Sequence, residues 1–366
     1  MKFYNNKKNF YDVIIVGAGV IGLSVAYFLS LRNKKILLVE KNRNIGEENS
    51  SLNSAVVHAG IYYKKNSLKS KFSIQGRELL KRFCKKNKIK YKTVGKLIIC
   101  NQKEKYLLNK IFKQGKKNKI KNLKIINKNQ IKKLEPNLTA DYALYSKNSA
   151  IFDVDKFINV ISLKILNQKT KIVTGLKFIE KNKYNDFKFK DTRGKIHNFQ
   201  TKYLINCSGL NSVKIANKCD NKASFPKSNF VKGAYLSYSQ KIFKHIIYSI
   251  FIPGKITERT DATPDLNGNI IFGPSIEKNN KLNWNNLKDR FYSSVRSYYP
   301  KIEKKKLKKF KYGIRPKIYY KSKVEVNDFY IKKKKNIINL LGIESPGLTS
   351  CLAIGKHVSK LIKKNA

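Results

Sequence analysis

Tyr11-Asp-Val-Ile-Ile-Val-Gly17-Ala-Gly19-Val-Ile-Gly22 stands near the start of the chain, and the organisation of the rest follows from how it is read. Tyr11 to Val16 is a continuous, mostly β-branched run of the kind a strand buried on both faces requires. The glycines lead into Leu23 to Asn33, whose apolar spacing suits a helix, and Lys35-Ile-Leu-Leu-Val39 is a second buried strand ending at Glu40. This predicts a βαβ unit, because two parallel strands need a crossover, usually helical. Each part has a physical role: Gly17 permits a tight turn, Gly19 lets the backbone approach a pyrophosphate, and Gly22 lets the helix pack closely on the strand. The phosphates then meet the unpaired N–H groups and the positive end of the helix. Glu40, 23 residues after Gly17, is placed to accept from both ribose hydroxyls, which disfavours a 2′-phosphate, and Lys41 after it is a further cofactor-binding candidate. FAD and NAD share this pattern, so the choice between them rests on the rest of the chain.

The same region is uncharged for 19 residues, Val13 to Leu31, a length that suits a membrane span, but its three glycines argue for the nucleotide loop instead. The opening MKFYNNKKNF lacks the apolar region and small-residue cleavage site of a secretory signal, so a cytoplasmic location is expected. At 366 residues the chain has room for about two to three domains. A composition of 41% hydrophobic and 11% aromatic residues excludes collagen-like and wholly disordered classes. The net charge of +56 would suit a nucleic-acid or anionic-membrane binder. Its make-up of 70 Lys and only 9 Arg, spread along the whole chain with abundant Asn, Ile and Tyr, reads instead as A/T-rich coding on a solvated surface. Phosphate readers favour the Arg fork, and no nucleic-acid-binding signature is present, so no specific nucleic-acid partner is expected. The five cysteines, Cys84, Cys100, Cys207, Cys219 and Cys351, form no CxxC and predict buried thiols in a reducing compartment with no metal site.

Downstream lie Asn53-Ser-Ala-Val-Val-His58-Ala-Gly-Ile-Tyr62-Tyr63 and, near the C-terminus, Ser345-Pro-Gly-Leu-Thr-Ser-Cys-Leu-Ala-Ile-Gly355. Between them come Gly95-Lys-Leu, Leu134-Glu-Pro136, Asn206-Cys-Ser-Gly209, Asn267-Gly-Asn-Ile-Ile-Phe-Gly-Pro274, Gly313-Ile-Arg-Pro316 and Asp328-Phe329. In this order, from about residue 11 to 360, these segments resemble the FAD-dependent oxidoreductases of the D-amino-acid oxidase superfamily, and within it the L-2-hydroxyglutarate dehydrogenase/oxidase group. The resemblance implies an α/β fold of the two-dinucleotide-binding-domain flavoprotein type, a Rossmann-like FAD domain with a β-meander plus a mixed α/β substrate domain, and FAD as cofactor. The residue pattern agrees with it: KIVTGLKFI, DFKFKD and KIHNFQT read as strand pieces leading to the apolar KYLINCSG and the helix NSVKIANK. A discontinuous FAD domain over 10–76, 150–220 and 333–366 is expected, with the substrate domain over 77–149 and 221–332.

The apolar strand NIINLLGI stops at Glu344-Ser-Pro346-Gly347, where an amphipathic helix starts with unpaired N–H groups. The resemblance implies that Gly347, Leu348 and Thr349 face the flavin ring or its ribityl chain, where a helix N-terminus favours negative charge. Gly209 belongs to the same set, and Asn53 and Ser54 suit the diphosphate and ribityl side. His58 would lie beside the flavin, either as the general base that takes the hydroxyl proton or as a residue that holds the ring. Arg315 offers a planar fork for a carboxylate, with Tyr62, Tyr63 and Arg259 as further candidates for the substrate cavity. One departure stands out: where the group tends to carry a His before Asp-Leu-Asn-Gly, this chain has Asp261. An acid there would repel a distal carboxylate or serve as an alternative base.

The expected activity is oxidation of a small L-2-hydroxy acid, first L-2-hydroxyglutarate to 2-oxoglutarate, by hydride transfer to FAD with quinone or O2 as electron acceptor. The alternative is an amino-acid or amine oxidase of the same superfamily, and a third class is a non-catalytic polyanion binder. The basic segment Lys360-Leu-Ile-Lys-Lys364 suggests peripheral contact with the inner face of an anionic membrane.

Overall fold

The computed structural model describes residues 10–362 apart from 167–168, 183–184, 221–223, 251–259, 278–281 and 321–323. The chain divides into two compact units, one of residues 1–51, 154–230 and 316–366, the other of 52–153 and 231–315.

In the first unit, β1 (Phe10–Val16) and β2 (Ile36–Val39) lie parallel, Val13 opposite Ile36 and Val16 opposite Val39, with α1 (Val20–Ser30) as the crossover. The strand Ile196–Asn206 runs parallel to β1 on its other side, and Ile337–Leu341 runs parallel to that strand; Thr170–Val173 runs parallel to β2. Continuous apolar runs are what such strands need, and Val13, Ile14, Ile15 and all four residues of β2 are buried. The uncharged stretch has the same cause. α1 buries Val20, Leu23, Val25, Ala26 and Leu29, and a Cβ on Gly355 of the helix Gly347–Lys360 would lie 2.5 Å from Ser24 O. A helix so closely covered is apolar on most sides without entering lipid. Among the described residues no helix is long and apolar enough to cross a membrane.

The β-meander is present but divided differently from the expectation. Gly175, at φ +68, breaks the KIVTGLKFI piece in two: Thr170–Val173 joins β2, and Leu176–Lys181 turns to pair antiparallel with Asp186–Asp191. KIHNFQT and KYLIN form one strand, Ile196–Asn206, antiparallel to Asp186–Asp191 over its first half and parallel to β1 over its second.

The second unit is built on the strands Lys227–Tyr238 (from Val231), Ile270–Phe272, Ala262–Pro264, Ile246–Ser249, Lys96–Cys100, Tyr142–Ser146 and Leu123–Asn127, in that order across the sheet. On one face Leu97, Ile99, Leu236, Tyr238 and Phe272 join Leu287, Phe291 and Val295 of the helix Trp284–Arg296 in a large core. On the other, Ile98 and Leu144 pack with Leu108 of the helix Lys105–Lys117. Alternation along each strand therefore serves two cores. A small sheet pairs Val56–Val57 and Tyr91–Thr93 with Ala150–Phe152.

The compact units break at 51/52, 153/154, 230/231 and 315/316. Residues 52–76 fall in the second unit because Val56 and Val57 pair with Ile151 and Ala150, and because the helix Leu68–Lys86 runs through residue 76 unbroken. Residues 316–332 fall in the first because Ile318, Val326 and Tyr330 pack with Val213, Ala216 and Leu341.

Candidate functional site

The first unit places a glycine-lined turn at the C-terminal ends of its parallel strands, where open α/β sheets bind ligands. Gly17 has φ +101, and a Cβ there would lie 2.5 Å from Cys207 O at the end of the neighbouring strand. On Gly22 it would lie 1.9 Å from Gly17 O and 3.5 Å from Leu38 Cδ1, so this glycine sets how closely α1 meets the sheet. On Gly19 it would meet Ser50 Oγ at 2.7 Å. That hydroxyl accepts from Val20 N at 3.0 Å, and Gly19, the residue before the helix, supplies no side-chain cap. Glu40 is buried, Oε2 accepting from Ala18 N at 2.9 Å and Oε1 from Asn42 N at 3.0 Å. A carboxylate has about four lone-pair directions, so Glu40 locks the turn and still keeps acceptor capacity for a ribose. The Lys41 ammonium pairs with Glu48.

At the same strand ends Asn206 Nδ2 donates to Ser212 O (2.7 Å) and Asn339 Oδ1 (2.9 Å), and Asn206 Oδ1 accepts from Ser208 Oγ (2.6 Å). Gly209 follows at φ +52, with nothing within 4 Å of an added Cβ. Beyond Ile337–Leu341 the helix Gly347–Lys360 begins after Pro346, again with no side-chain cap; Thr349 is buried and Leu348 partly so. Helix starts whose N-cap residues, Gly19 and Pro346, carry no side-chain cap of their own, and a glycine turn that tolerates no Cβ, fit a dinucleotide with a diphosphate. Gly17, Gly19, Gly22, Glu40, Gly209, Gly347, Leu348 and Thr349 would hold it; Asn53, which accepts from Ala55 N at 2.8 Å, and Ser54 belong to the other unit.

The second unit gathers the candidate chemistry. His58 follows the strand Val56–Val57, and the loop after it is fastened from behind: Asn118 Nδ2 donates to Gly60 O (3.0 Å) and Tyr63 O (2.7 Å). A Cβ on Gly60 would lie 3.0 Å from Ser73 Oγ and from Ile74 Cγ1, which explains the glycine after His58-Ala59. Burial, and secondarily the positive charge of Lys96, hold the His58 imidazole well below its ordinary pKa, so it is neutral. Lys96 is 1% exposed. It opens the strand Lys96–Cys100, in parallel register with Ile246–Ser249, where Ile98 faces Tyr248. The two-residue period puts Lys96 and Tyr248 on one face, and Lys96 Nζ stands 3.5 Å from the Tyr248 ring centroid and 6.0 Å from that of Tyr62. Asp261 stands one residue before Ala262, which pairs with Ile247, so the antiparallel register carries it towards Tyr248. Its negative charge raises Lys96, Tyr235, Tyr248 and Tyr298. Tyr235, pushed up to about 12 chiefly by burial, also feels Arg315 and shares a hydrogen bond with Ser54. Arg315 donates to Ser275 O (3.0 Å) and Lys232 O (3.4 Å), and Gly233 leaves room for its guanidinium, since a Cβ there would lie 2.8 Å from Nη2.

His58, Asp261, Arg315 and Ser54 are thus linked through Lys96, Tyr235 and Tyr248. Tyr62 lies at the margin, 41% exposed. Arg259, and Lys363 and Lys364 of the basic C-terminal segment, lie outside the described residues. Lys96 entered the sequence reading only as the middle of the Gly95-Lys-Leu segment, with no role at the site. A further local signal is a lysine at the head of the apolar run Leu97 to Cys100.

A parallel sheet with a glycine turn, an acid after β2 and a β-meander defines a dinucleotide-binding α/β protein. The chain belongs to the FAD-dependent oxidoreductase family, whose model matches residues 12–361. It is 31% identical to the mitochondrial L-2-hydroxyglutarate dehydrogenase of Arabidopsis thaliana, over 95% of this chain and 82% of that one. It is also 31% identical to the glycerol 3-phosphate oxidase of Mycoplasma genitalium, over 96% and 94%. The FAD-bound L-alpha-glycerophosphate oxidase of Mycoplasma pneumoniae shares its fold, with a TM-score of 0.86 at 24% identity over 97% of this chain and 95% of that one. The protein is an FAD-dependent oxidoreductase.

Proposed function

We propose that the protein oxidises the hydroxyl-bearing carbon of a small L-2-hydroxy acid, with L-2-hydroxyglutarate as first substrate and 2-oxoglutarate as product. The observation that carries this reading is the presence, in one unit, of a partly buried, neutral His58 and of the Arg315 guanidinium, which Ser275 O holds with donors to spare. FAD, when bound, supplies the acceptor for the hydride equivalent that leaves the carbon. The His58 imidazole, neutral and already desolvated, takes the proton of the substrate hydroxyl, with Asp261 as the other candidate base. Two donors of Arg315 are used by backbone carbonyls, and the rest of its fork takes the α-carboxylate. Quinone or O2 then receives the electrons, and contact of the basic C-terminal segment with an anionic membrane belongs to the same reading.

A second reading, oxidation of glycerol 3-phosphate, is favoured by the Mycoplasma genitalium relative. Anaerobic mixing of the yellow holoprotein with each compound tests both. Bleaching of the flavin by L-2-hydroxyglutarate supports the first, bleaching by sn-glycerol 3-phosphate alone supports the second, and bleaching by amino acids alone overturns both.

A further inference from the structure

Lys96 is an unusual lysine in a chain that carries seventy. A buried ammonium loses its hydration and needs hydrogen-bond acceptors or a counter-charge in return. Among the described residues Lys96 makes neither a hydrogen bond nor an ion pair within 4 Å; its neighbours are the faces of Tyr248 and Tyr62. The aromatic faces attract the cation without replacing the acceptors that water supplied. The carboxylate of Asp261 acts on it from farther away, and burial outweighs that help, leaving Lys96 at about 7. The strand does not force this arrangement, because Ile98, two residues on and on the same face, packs in an ordinary apolar core.

The two cations also act on different tyrosines. Arg315 acts on Tyr235, Lys96 stands over Tyr248, and Tyr235, Tyr248 and Asp261 act on one another. Two cations on one Tyr–Asp group suit a ligand with two anionic groups.

We infer that Lys96 is a specificity-determining residue of this oxidoreductase, its buried ammonium receiving the second anionic group, carboxylate or phosphate, of a dianionic hydroxy substrate. The inference rests on the reading above, in which Arg315 takes the first anionic group. Asp261 then sets the selectivity by opposing any anion that does not reach Lys96.

The test compares wild-type holoenzyme with Lys96→Met, and with Lys96→Gln as a second variant should the first fail to fold. The rates measured are kcat/KM for L-2-hydroxyglutarate, sn-glycerol 3-phosphate and L-lactate, and the affinities are those of glutarate and butyrate, read from the flavin spectrum. Loss of a buried charge partner predicts a fall of about 100-fold for whichever dianion is oxidised. L-lactate should stay within about threefold, and glutarate should lose its advantage over butyrate. Whether the carboxylate or the phosphate dianion suffers the fall identifies the source of the second group. Equal losses for dianion and lactate would overturn the inference, as would a wild type that binds butyrate as tightly as glutarate. If no hydroxy compound is oxidised by wild type, the proposed reaction fails, while the glutarate-to-butyrate ratio in wild type and variant still decides the role of Lys96.

Discussion

Asn206 donates to the side chain of Asn339 across 2.9 Å, joining the ends of two parallel strands that are 133 residues apart in the chain. Asn206 also holds Ser212 O and Ser208 Oγ, so one buried amide fixes the turn that carries Gly209 to the neighbouring strand. Asn206→Ala leaves Asn339 Oδ1 and Ser212 O without this donor at full burial. The expected cost is about 2 kcal/mol in urea unfolding, with weaker flavin retention. Full stability together with loss of flavin would instead assign Asn206 a direct contact with the cofactor.

Gly22 and Gly209 should behave differently on substitution by alanine. At Gly22 the new Cβ would fall 1.9 Å from Gly17 O, so the turn must open and the purified Gly22→Ala protein should be colourless. At Gly209 the space is open and only φ +52 opposes alanine, which costs about 1–2 kcal/mol. Gly209→Ala should therefore be yellow and slightly less stable, a contrast read from the visible spectrum and a melting curve.

His58 is held well below its ordinary value by burial first and by Lys96 second. As a base it stays competent into acid, so the acid limb of kcat/KM should lie below about 6.5. Lys96→Met removes the smaller influence and should move that limb upward without bringing it to 6.5. A limb at or above 6.5 in wild type would remove His58 as the base. The same depression affects stability: this group's contribution is complete above the unfolded value and is lost as pH falls towards the folded one.

Lys96→Met should stabilise the protein. Folding lowers Lys96 from 10.5 to about 7, so between these values the unfolded chain binds more protons. The stability from this group is full above 10.5 and lost as pH falls towards 7. Replacing the cation by an apolar side chain of similar length should raise stability at pH 7 by about 1–4 kcal/mol. Melting temperature against pH checks this: a variant that melts lower at pH 7 would mark Lys96 as a structural ion-pair partner.

Dianion binding should take up a proton near neutral pH, because an anion beside Lys96 raises it from about 7. Glutarate affinity in wild type should therefore weaken as pH rises above 7, approaching tenfold per unit. His58, Tyr62, Tyr235, Tyr248 and Asp261 surround the group, and of these the neutral His58 and the raised Tyr235 and Tyr248 stay uncharged in that range. Isothermal titration in buffers of different ionisation enthalpy measures the uptake, and a pH-independent affinity would contradict it.

Local pattern was sufficient for much of the architecture. A two-sided apolar run, glycines at fixed spacing and an acid after the second strand are short-range features, and they placed β1, α1, β2 and the C-terminal helix to within a few residues. The break at Gly175 and the double use of Ile196–Asn206 were not legible in the same way, because both depend on which strand lies alongside. His58, Asp261 and Arg315 could be picked out because their residue types are scarce or out of place in this chain. Lys96 lay within the Gly95-Lys-Leu segment, but its role could not be read there, since a lysine among seventy gives no sign of being buried. Its burial is a property of strands brought together from residues 96, 248 and 262, and desolvation, which turns a solvated surface charge into a selective one, exists only after they pack.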